Sequence, residues 1–76
     1  MRHGYVAKLG RPELDRVVLL QREEGTYVLV FKTPHSHTPE EDHYQADLDM
    51  ARMACEQDYG ILPDMWVAVD EGHTEY

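Results

Sequence analysis

Three histidines stand close together: His35 and His37 flank Ser36, and His43 follows six positions later, after Glu40, Glu41 and Asp42. Imidazoles two residues apart on an extended segment project to one side, and zinc accepts mixed imidazole and carboxylate ligands. His35, His37 and His43 are therefore the candidate metal ligands. Beside carboxylates, which favour their charged form, the same rings would titrate near neutral pH. Neither a CxxC nor an HExxH spacing accompanies them, so the segment reads first as a solvated loop.

The remaining reactive groups read as structural. Ser36 is the only serine; its histidine neighbours point away from it on an extended segment, and no oxyanion element accompanies it. Cys55 sits within an apolar helical stripe beside Glu56 and Asp58, whereas a nucleophilic thiol needs an electropositive, accessible setting. Its solitude rules out an intrachain disulfide. The five glycines are scattered, so no phosphate-binding loop forms. Asp47, Asp49 and Asp58 lack the spacing and central glycine of a calcium loop. No cofactor and no enzyme activity are expected.

The elements that would position these groups can be read from pattern. Leu14 to Arg22 and Thr26 to Thr33 are apolar runs with Glu23-Glu24-Gly25 between them, the signature of a β-hairpin over 14–33. Both runs are apolar on both faces, so each face of the hairpin needs a cover. Pro34 ends the second strand. Thr38-Pro39-Glu40-Glu41 has the form of a capping box with proline at the first helical position. From there Tyr44, Leu48, Ala51, Cys55 and Tyr59 form one stripe, and Gly60 followed by Pro63 is a stop signal. The spacing predicts a helix over 39–59. Met65 to Asp70 suits a short third strand, and 5–8 another. The fold class expected is α+β: a small antiparallel sheet with one long helix on one face. A hairpin followed by a capped helix is similar in layout to small HicB-like antitoxin domains. No motif is shared residue by residue, so the likeness implies nothing about site residues.

Charge completes the reading. From Pro39 to Tyr76 there are eleven acids and one base, Arg52, whereas the first thirty-eight residues hold four acids and six bases. The first part carries +2 and the second −10 of a net −8. Such a field repels nucleic acid and anionic membranes and favours basic partners. No apolar run approaches a membrane span and no signal peptide is visible at Met1, so a cytoplasmic protein of one domain, 1–76, frayed at 1–4 and 72–76, is expected. Seventy-six residues leave a thin margin of stability, and a homodimer through the sheet, or the segment 5–14 folded over its second face, would supply the missing cover. The function expected is a non-enzymatic module that binds another protein, such as an inhibitor, immunity or antitoxin-type factor, or an accessory subunit. Asp42, Asp49, Met53 and Glu56 are its candidate partner-binding residues. The alternative is a metal- or pH-responsive protein using the three histidines.

Overall fold

The two apolar runs pair as expected, and the register between them sorts every side chain onto one of two faces. The computed structural model describes residues 3–70. Five strands form one antiparallel sheet: β1 His3–Arg11, β2 Leu14–Arg22, β3 Gly25–Phe31, β4 Glu41–Gln45 and β5 Val67–Asp70, in the order β4-β3-β2-β1-β5. One helix, α1 (Leu48–Tyr59), packs on it, so the fold is α+β. Of the fraying expected at 1–4 and 72–76, residues 1–2 and 72–76 lie outside the described residues, while His3 and Gly4 are not frayed: both are paired in β1, Gly4 with Leu20 on one side and Val69 on the other.

A two-residue turn, Glu23-Glu24, sets Val18 opposite Leu29 and Val17 opposite Val30. Opposed residues share a face. Val17 and Leu19 therefore lie with Val28 and Val30, and Val18 and Leu20 with Leu29 and Phe31. Leu19 and Leu29 thus lie on opposite faces, an outcome set by the register and not by alternation within either strand. β1 is longer than the short strand expected at 5–8. One extra residue in β1 shifts its register between Lys8 and Arg11, where Gly10 adopts φ 60°, the glycine-dependent conformation of a bulge.

The helix begins nine residues later than its capping signal. Its N-cap is Asp47, whose carboxylate accepts from the Met50 backbone N–H at 2.9 Å. The residues at 41–45, expected within the helix, instead form β4 along the open edge of β3. Glu40 explains why: its carboxylate accepts from the Lys32 backbone N–H at 2.5 Å and from the Ser36 hydroxyl, while its own N–H donates to the Val30 carbonyl at 2.9 Å. The edge of β3 thus satisfies backbone groups that a helix start would leave open. The C-terminus is as read. Gly60 is left-handed (φ 68°), and the N–H groups of Gly60 and Ile61 donate to the Glu56 and Cys55 carbonyls, a Schellman arrangement.

The core lies between α1 and the first face. Ala51 and Cys55 are buried against Ala7, Val17, Leu19, Val28 and Val30, with Ile61 and Trp66 closing one end. The second face carries a smaller cluster of Val6, Val18 and Phe31, with Leu20, Leu29 and Val69 partly buried beside it. The segment 5–14 does not cover it, because most of that segment is β1 within the sheet. Among the described residues, the connection 32–40 reaches over one end of it, tied there by Arg16.

Candidate functional site

Arg16 projects from β2 onto the second face, where burying a guanidinium is costly unless its donors are satisfied. Only 6% exposed, it stacks 4.2 Å from the Phe31 ring centroid. Nη1 donates to Asp15 at 2.9 Å and Nη2 to the Ser36 carbonyl at 2.8 Å. The connection is thereby held over one end of the face. It leaves an open groove of about 930 Å³ with Pro34, Ser36 and His37 on one wall and Val6, Val67 and Val69 opposite. Lys8, Arg16 and Asp15 also line the groove, so it is apolar with a mainly basic rim in a chain that is acidic overall.

The far side of the molecule is of the opposite character. Ala51 and Cys55 turn α1 inward, so helical periodicity turns Asp49, Met50, Met53 and Glu56 outward. All four are exposed, Met50 by 49% and Met53 by 60%. Exposed thioethers make adaptable contacts, and here carboxylates flank them. Of the four partner-binding residues expected from sequence, Asp49, Met53 and Glu56 therefore share one surface. Asp42 does not: opposite Leu29 on β4, it belongs to the second face of the sheet.

The candidate metal ligands are not brought together. His43 lies opposite Val28, on the helix side of the sheet, and lines a smaller cleft of about 320 Å³ with Cys55 and Asp58. His37 lines the groove on the other side. Among the described residues no three His, Cys, Asp or Glu side chains are grouped as a metal would require. His43 Nε2 lies 3.2 Å from the Glu41 carboxylate, which Lys32 also approaches at 3.1 Å. A hydrogen bond from Lys32, then one from His43, holds the Glu41 carboxyl below its ordinary range. Burial, and secondarily Asp58, pushes the Cys55 thiol up to about 11, which keeps it protonated and unreactive at neutral pH.

Sequence reasoning missed Lys8, Tyr44, Val67 and Val69 as surface-determining residues. Which face each occupies depends on strand pairing, and only the two-residue Glu23-Glu24 turn carried any signal of it. No helix is long and apolar enough to cross a membrane among the described residues. No protein-family model, curated protein or solved structure matches the chain.

Proposed function

We propose that the protein is a non-enzymatic, cytoplasmic binding module of the inhibitor, immunity, antitoxin or accessory-subunit kind. It presents the outer surface of α1 to a basic protein partner and works as a pair of copies. One observation carries the reading: Met50 and Met53 stand exposed on the helix with Asp49 and Glu56 beside them. A desolvated apolar anchor within a charged surround is the arrangement from which protein interfaces draw affinity and orientation. The −10 charge of the second part of the chain steers cationic surfaces toward it and nucleic acid away. A lone buried thiol suits a reducing compartment.

The test is capture of binding proteins from a native extract by the immobilised full chain, run beside an Asp49→Lys/Glu56→Lys variant. Circular dichroism establishes that the variant keeps its fold. The reading expects a basic protein retained by the original chain, released by added salt, and lost by the variant. Retention of the same proteins by both chains would overturn it. The alternative built on His35, His37 and His43 gains nothing from the geometry, since His37 and His43 lie on opposite sides of the sheet.

A further inference from the structure

The groove and the apolar face beside it form a surface with two unlike edges. Residues opposed across the strands lie in rows. The first row on the second face runs Val69, Gly4, Leu20, Tyr27, Tyr44 from β5 to β4. The next runs Val67, Val6, Val18, Leu29, Asp42. Lys8 begins the third, opposite Arg16. The β5 edge is apolar, with Val67 63% exposed in the groove wall. The β4 edge is aromatic: Tyr44, 52% exposed, packs edge-on against Tyr27 at 5.5 Å between centroids, and its hydroxyl reaches the Glu24 carbonyl. Charge follows the same division, with Lys8 toward one edge and Asp42 at the other.

We propose that this face is covered by a second copy of the chain, packed sheet to sheet about a two-fold axis running along β2. This rests on the paired-module reading above and names its surface. A two-fold about β2 exchanges β4 with β5 and β3 with β1, because β2 is the middle strand of the order β4-β3-β2-β1-β5. Tyr44 of each copy then meets Val69 of the other, at the margin of its groove. Tyr27 comes over Gly4, where the side chains of Val69 and Leu20 close in and offer it an apolar contact. Asp42 comes over Val67, with Lys8 one strand and one row away, on the diagonal. The contact is isologous, so it closes at two copies. Val6, Val18 and Phe31 are already buried within one chain, so what the contact removes from water is the exposed Val67 and Tyr44 and the uncovered parts of Leu20 and Leu29. An axis across the strands would instead keep β4 over β4 and β1 over β1, leaving Asp42 three strands from Lys8.

Light scattering on the full chain across micromolar concentrations tests this. The expected mass is about twice 8.9 kDa. Val67→Glu, an exposed substitution that sets a carboxylate against Asp42 of the second copy, should weaken self-association about tenfold or more. Asp42→Lys and Lys8→Glu should each weaken it, and the two combined should restore it. Asp49→Lys/Glu56→Lys should leave the mass unchanged, so loss of partner capture and loss of the dimer are read separately. A mass of 8.9 kDa at every concentration, or a dimer indifferent to Val67→Glu and Asp42→Lys, would overturn the proposal. The second result would place the contact on another surface, such as the β5 edge.

Discussion

At the scale of single residues, Arg16 carries the most consequence. Its stacked plane shields Phe31, and its donors hold Asp15 and the Ser36 carbonyl at once, a fork that an ammonium cannot reproduce. Arg16→Ala should cost about 2–4 kcal/mol in urea unfolding, because charge-assisted hydrogen bonds and packing are lost together. Arg16→Lys should recover only part of that. Sequence gave no warning of this role: an arginine on an apolar strand reads as a solvated charge until the connection that folds over it is known. Cys55 was legible, since its place in the apolar stripe foretold burial. Its consequence is a pH dependence of definite sign. Burial raises the native thiol from 9.0 to about 11, so above pH 9 the unfolded chain releases a proton that the native chain keeps. This contribution to stability is present below pH 9 and is lost as pH rises toward 11. Denaturation midpoints of the chain and of Cys55→Ala should therefore differ by a constant amount below pH 9, and the difference should change only above it.

At the scale of elements, the helix shows how a local signal can be correct in chemistry and wrong in place. Thr38-Pro39-Glu40-Glu41 has every feature of a helix start, but Glu40 uses its carboxylate to close the 32–40 connection onto Lys32 and Ser36. The hydrogen-bonding demand of β3's edge, which no local window displays, decides the outcome. Asp47→Ala should cost about 1 kcal/mol through lost capping, while Thr38→Ala should be near neutral; chemical denaturation of both variants decides which residue caps α1. The hairpin turn was legible in its glycine but not in the reason for it. Gly25 has φ 151°, and a Cβ there would collide with the Tyr44 hydroxyl, a group that itself donates to the Glu24 carbonyl. Gly25→Ala should destabilise by about 1–3 kcal/mol. It should also displace Tyr44, readable as a change in near-ultraviolet circular dichroism.

At the scale of the whole molecule, the α+β class was legible because both strands of the hairpin are apolar throughout and one amphipathic helix follows them. What could not be read was which apolar residues become core. The choice depends on register, and a slip of one residue exchanges the two faces. Leu19 and Leu20 are adjacent and chemically identical, yet Leu19 is buried beneath α1 and Leu20 lies partly buried on the second face. Leu19→Ala should cost roughly 2–5 kcal/mol at any protein concentration, since it opens a cavity in the core. Leu20→Ala should cost roughly 1 kcal/mol in dilute solution, because its side chain already meets water there. Its cost should grow with concentration if a second copy covers that face, because association stabilises only the folded chain by mass action. Denaturant midpoints of the two variants, measured across a hundredfold range of concentration, separate the two roles. Equal costs for the two leucines in dilute solution would contradict the division of the sheet into a core face and an open one. A concentration-independent cost for Leu20→Ala would leave that division intact and count against the paired sheets.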